Sequence, residues 1–197
     1  MQHRLRQHLR ENRILYGVGI VFFLAGLFLG QSQVALLSAD AADDFTHWLH
    51  EFSAPFSPES SIALFWAALR QQGKSLLSIW FLGMTLIGAP LILGVLLYRG
   101  MALGFTLHLL FRFHSFRGLG IFLFAVFPQN LLYIPCLCAG AALALRLSVQ
   151  LLKKKRKQPF LSLFLKYQLA FLLLFLLTVA GSLVEAWISP VLFQWFL

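Results

Sequence analysis

The stretch from Gly118 to Arg146 limits what this chain can become more than any other. An uncharged run, Gly-Ile-Phe-Leu-Phe-Ala-Val-Phe, leads into Pro128-Gln129-Asn130, and Leu-Leu-Tyr-Ile-Pro-Cys-Leu-Cys-Ala-Gly follows it. Crossing a bilayer core takes about 20 apolar residues at ~1.5 Å each, and this run is long enough. No water is present at that depth, so an unbonded amide there is costly. Pro128 withholds a backbone N–H, leaves the carbonyl one turn upstream without a donor and biases Phe127 away from helical geometry. The expected form is a bent membrane segment whose polar elbow, Pro128, Gln129 and Asn130, faces protein or a wet cavity and not lipid. The plainer form of that elbow has both amides bonded to neighbouring helices. The sharper alternative is a ligand or ion site.

The rest of the composition agrees. Of 197 residues, 59% are hydrophobic and 12% are charged. That charge is about half of the ~25% usual for a soluble domain. The chain therefore reads as all-α, a polytopic membrane helical bundle. A net charge of +9 could suggest a nucleic-acid partner, but the basic residues flank apolar runs, as they do in inside-facing membrane loops. Cys136 and Cys138 lie in an apolar run, and a Cys-x-Cys pair on a helix diverges, so both read as packing residues and not as a disulfide.

About five transmembrane helices are expected. Residues 1–13 form a cytoplasmic segment with four arginines and one acid, followed by the uncharged run Ile14–Gly30, read as an uncleaved first helix. Gly26-x-x-x-Gly30 lets another helix come close. Residues 31–73 hold five of the seven acids. Phe45, Trp48 and Phe52 share one helical stripe there, and Phe65 and Trp66 share a second. The second stripe opens on Ser57-Pro58-Glu59 and stops at Gly73. This segment reads as an extracytoplasmic helical hairpin in which Phe45, Trp48, Phe52, Phe65 and Trp66 meet partners or the bilayer. Ser75–Tyr98 is the second span, interrupted at Gly88-Ala-Pro90. A short third span covers Gly100 to Phe113, with Gly100 and Gly104 packing it onto the second. After the Pro-Gln-Asn segment comes a basic cytoplasmic loop, 146–160, containing Lys153-Lys-Lys-Arg-Lys157. Leu161–Ile188 is the fifth span.

The basic residues set the orientation. With the N-terminus inside and the C-terminus outside, the arginines of 1–13, Arg99, Arg146 and the lysine run are cytoplasmic. Arg70, Lys74, Arg112 and Arg117 are then outside, with six of the seven acids and, on or near that side, all five tryptophans.

Catalytic chemistry is hard to place in this chain. It has no Gly-x-Ser-x-Gly elbow, no paired carboxylates at membrane depth, no Gly-rich phosphate loop and no His-Glu-x-x-His motif. His47 and His50 near Asp43, Asp44 and Glu51 are better read as a solvated face than as metal ligands, and no cofactor is expected. Two broken segments, at Gly88-Ala-Pro90 and at Pro128-Gln129-Asn130, keep a small permease or channel-like reading open.

Three segments carry a resemblance: Leu86-Ile-Gly-Ala-Pro-Leu-Ile, Arg99-Gly-Met-Ala-Leu-Gly-Phe-Thr106, and Ala125-Val-Phe-Pro-Gln-Asn-Leu-Leu-Tyr-Ile-Pro135. In order and spacing the chain resembles the stage II sporulation protein M family over most of its length. The match is weakest in 31–73 and at the C-terminus. The resemblance implies a non-enzymatic membrane component acting with peptidoglycan hydrolases that resemble stage II sporulation proteins P and D during forespore engulfment. Pro90, Pro128, Gln129, Asn130 and Pro135 would be joints of the bundle, and Gly88, Gly100 and Gly104 packing points. A homodimer through Gly100 and Gly104, or through Gly140 to Ala144, is a further option.

Overall fold

The computed structural model describes residues 2–34, 58–85, 87–152, 160–189 and 191. Five long helices run through them: α1 Gln2–Gln33, α2 Pro58–Gly83, α3 Gly88–Ile121, α4 Phe127–Leu152 and α5 Phe160–Leu183. Two short π-helices interrupt the ladder, at Phe122–Val126 before α4 and Val184–Ile188 after α5. No strand occurs among the described residues. The molecule is an all-α polytopic bundle. Four stretches are long and apolar enough to cross a membrane: Ile14–Gln33, Gly88–Arg112, Phe127–Leu151 and Leu161–Ile188.

The prolines explain most boundaries. Pro58 opens α2 and Pro90 lies in the first turn of α3, where a missing N–H costs nothing because that turn has no intrahelical acceptor. Pro128 is the second residue of α4, one position after Phe127 and close behind the first π-helix. It has no N–H for the carbonyls behind it, and the hydrogen-bond ladder slips just upstream. Pro135, by contrast, sits in the interior of α4, beyond its first turn.

Side-chain contacts fix the helix directions. Arg99 of α3 bonds to Gln71 and Ser75 of α2, and few residues separate Gly83 from Gly88, so the two helices are antiparallel. Gly83 abuts Ala144, and Ser148 donates to the Thr85 carbonyl (3.0 Å), so α2 runs parallel to α4. Trp80 donates to Gln168 (2.6 Å), and Phe65 faces Trp187 with ring centroids 6.0 Å apart, so α5 is antiparallel to α2. Leu76, Ile79, Ile92, Leu96, Ala141, Ala144 and Phe171 form the shared core.

Helix α1 lies parallel to α3 along facing glycines. A Cβ at Gly26 would overlap the Leu97 carbonyl and one at Gly30 that of Met101. Gly100 and Gly104 stand in the same relation to the carbonyls of Phe23 and Leu27. Two small-residue faces thus bring the backbones into contact. Arg112 then donates to the Val34 carbonyl (2.7 Å), closing the open end of α1.

Several sequence expectations need correction. Gly73 does not stop a helix, because α2 passes through it to Gly83. The segment carrying Phe65 and Trp66 is therefore the first half of a bundle helix and not half of a separate hairpin. Gly88-Ala-Pro90 starts α3 instead of interrupting a span. No turn occurs at Arg99-Gly100, and the span expected to be short is the 25-residue stretch Gly88–Arg112. Gly100 and Gly104 pack on α1, not on the helix before them. Trp80 lies at the end of α2 remote from Trp66 and Trp187. Arg146 lies within α4. Phe45, Trp48 and Phe52 lie outside the described residues, as does the run 153–157.

Candidate functional site

A cavity of about 280 Å³ opens between the helices. Its walls include Gln71 and Gln72 of α2, Arg99 and Thr106 of α3, Gln129, Asn130 and Tyr133 of α4, and Glu185. Phe23, Leu103, Ile134 and Leu137 supply apolar wall. It lies toward the end of the bundle where α4 begins and α5 finishes, away from the α4–α5 connection.

Arg99 is the unexpected member. It stands one residue from the centre of the Gly88–Arg112 stretch, a depth where an unpartnered guanidinium costs several kcal/mol. Helix α2 supplies partners by antiparallel packing. Nε donates to Ser75 Oγ (2.7 Å) and Nη2 to the Gln71 carbonyl (2.6 Å). Opposite it sits Glu185, the only acid after Glu59 in the chain. Tyr133 donates to the Glu185 carboxylate (2.8 Å), with Ser182 Oγ at 3.1 Å from the same hydroxyl. Arg99 and Glu185 feel one another electrostatically, but they are not ion-paired among the described residues. Gly181 lets the Tyr133 ring reach this position, since a Cβ there would run into it.

The amides expected at the elbow border the same space. Gln129 is buried, and its Oε1 accepts from Ser189 just past the second π-helix. Asn130 turns its Nδ2 back onto the Val126 carbonyl (2.7 Å), beside the first π-helix. Both amides therefore meet protein and line the cavity. Pro135, in contrast, is exposed, and Pro90 lies at the far end of α3. Gly88 permits the α2–α3 turn, because a Cβ there would strike the Leu82 carbonyl. Gly140 faces Leu76, Leu174 and Phe171 within the chain, so neither glycine face proposed for a dimer is an outer surface.

Tyr133, Arg99 and Gln71 were not picked out from sequence. A usable signal existed for Arg99: a lone cation inside an otherwise uncharged stretch is a functional candidate by default. Tyr133 and Gln71 carry no such mark.

Helix α2 holds a second polar feature. Gly73 faces Phe175, near the middle of the Leu161–Ile188 stretch, which sets Arg70 and Lys74 level with the middle of that stretch. Both are exposed, on one face with Trp66, Leu77 and Phe81. Among the described residues no group of three or more His, Cys, Asp or Glu is arranged to hold a metal ion.

The family model for stage II sporulation protein M matches residues 18–190. No curated protein and no solved structure matches the chain.

Proposed function

The chain belongs to the stage II sporulation protein M family, and we propose that it serves as a non-enzymatic membrane scaffold that recruits and anchors peptidoglycan hydrolases. Its partners on this reading resemble stage II sporulation proteins P and D. Its place is the septal or engulfing membrane, with the N-terminus in the cytoplasm and the C-terminus outside. The observation that carries the reading is the outward face of α2, where Trp66, Arg70 and Lys74 are exposed at or near mid-depth. Two cations there cannot reach either interface with their own side chains, so lipid is a poor neighbour for them. A membrane helix of another protein, bringing an acid to that level, satisfies them.

The test is co-purification of a P-like hydrolase with wild type, Trp66→Glu, and the double variant Arg70→Ala/Lys74→Ala. Recovery should fall at least fivefold in both variants while their membrane levels hold. Undiminished recovery with both would reject this scaffold surface.

A second reading, a small permease or channel-like protein, is favoured by the cavity reaching Gln129 and Asn130. Polar groups at broken or interrupted helices near the membrane interior are how many transporters hold solutes. Solute flux into proteoliposomes separates the two readings.

A further inference from the structure

We infer that the cavity between α2, α3, α4 and the end of α5 is a binding site for a small zwitterion, whose anionic group meets Arg99 and whose ammonium meets Glu185. The inference rests on the permease reading's cavity and names the class of molecule it would hold.

Two opposite charges border one space without touching. Arg99 is held by the Ser75 hydroxyl and the Gln71 carbonyl, and Glu185 by the Tyr133 hydroxyl. All three of these partners are neutral. A guanidinium has five N–H donors and a carboxylate about four lone-pair positions, so each keeps capacity on its cavity side. Held apart, the two charges offset one another's cost in a low-dielectric layer less fully than a contact pair would. A molecule carrying both signs supplies both counter-charges at once and adds no net charge to the layer. A plain anion would satisfy Arg99 and be repelled by Glu185. A plain cation meets the reverse.

Size and rim narrow the class. About 280 Å³ is at or just below the low end of the ~300–1,000 Å³ typical of ligand cavities. That suits an amino acid, a dipeptide or a phosphoethanolamine group, not a larger metabolite. Gln72, Thr106, Gln129 and Asn130 place amide and hydroxyl groups around the charges, and Phe23, Leu103 and Leu137 accept a short apolar side chain. The shared chemistry has two sources, a free amino acid or peptide and the headgroup of phosphatidylethanolamine.

The experiment uses the full chain in nanodiscs. In discs of phosphatidylglycerol alone, calorimetric titration with glycine, alanine and alanylalanine is compared with acetate and ethylamine. Zwitterions should bind at least tenfold more tightly than either single-charge control. Glu185→Gln should remove that margin, and so should Thr106→Phe, which fills the space from α3 and leaves both charges in place. In mixed discs, native mass spectrometry counts retained lipids. Preferential retention of phosphatidylethanolamine over phosphatidylglycerol, lost in the same two variants, assigns the site to the headgroup. Binding of zwitterions without flux keeps the site and dismisses transport. The inference is overturned if neither source shows preference, or if preference survives both variants.

Discussion

Tyr133 ties three helical segments together through one oxygen. It donates to Glu185 and lies against Ser182, and its ring fills the notch at Gly181. Tyr133→Phe keeps the ring but strips the donor from a half-buried carboxylate. An unsatisfied buried group costs about 1–3 kcal/mol, more when charged, so the variant should unfold several degrees below wild type in the same detergent. Ser189→Ala removes the partner of Gln129 Oε1, and a loss of about 1 kcal/mol is expected there, since neither group is charged. If thermal unfolding finds Tyr133→Phe no worse than Ser189→Ala, Glu185 does not depend on that hydroxyl. At this scale the sequence was legible in part. Gln129 and Asn130 stand out as amides in an uncharged run, and both border the cavity. Tyr133 looks like any other aromatic in an apolar helix, because only its position relative to Gly181 and Glu185, about fifty residues away, gives its hydroxyl a task.

Helix contacts make a sharper comparison among glycines. Gly26, Gly30, Gly100 and Gly104 sit where any Cβ would press into the facing backbone, while Gly17 and Gly94 have nothing within 4 Å. Gly26→Ala and Gly104→Ala must therefore push α1 and α3 apart, at an expected cost of about 1–3 kcal/mol for strain in a packed contact. Gly17→Ala and Gly94→Ala should be neutral or gain up to about 1 kcal/mol from helix propensity. Unfolding midpoints of the four variants in one detergent check this, and a common response at all four sites would contradict the close packing. The Gly-x-x-x-Gly pairs were readable as close-approach faces, but their pairing was not. Spacing says that a face is small and leaves open which helix meets it.

Taken whole, the bundle places its cavity toward the end where α4 begins and α5 finishes, while at the other end α4 stops at Leu152, the residue before the basic run 153–157 in the sequence. On the proposed orientation, the excess of lysine and arginine in that run puts this end in the cytoplasm. Reporter fusions should therefore read inside for a tag in the α4–α5 connection and outside for one at the C-terminus. Replacing the five basic residues of 153–157 with glutamine should raise the fraction of inverted molecules. An unchanged ratio would mean that the N-terminal arginines alone set the topology.

Composition by itself determined that this chain enters a membrane as helices, since long uncharged runs leave no other way to satisfy the backbone in hydrocarbon. Where the helices begin and end was decided by packing. Gly73 carries a helix-breaking cost of only about 1 kcal/mol, too little to end α2, whose core contacts continue beyond it through Leu76 and Ile79. Arg99 looked like a loop residue because a cation in mid-membrane is prohibitive when counted locally. Ser75 and the Gln71 carbonyl, brought over by an antiparallel neighbour, supply the hydrogen bonds that a window on the sequence cannot count.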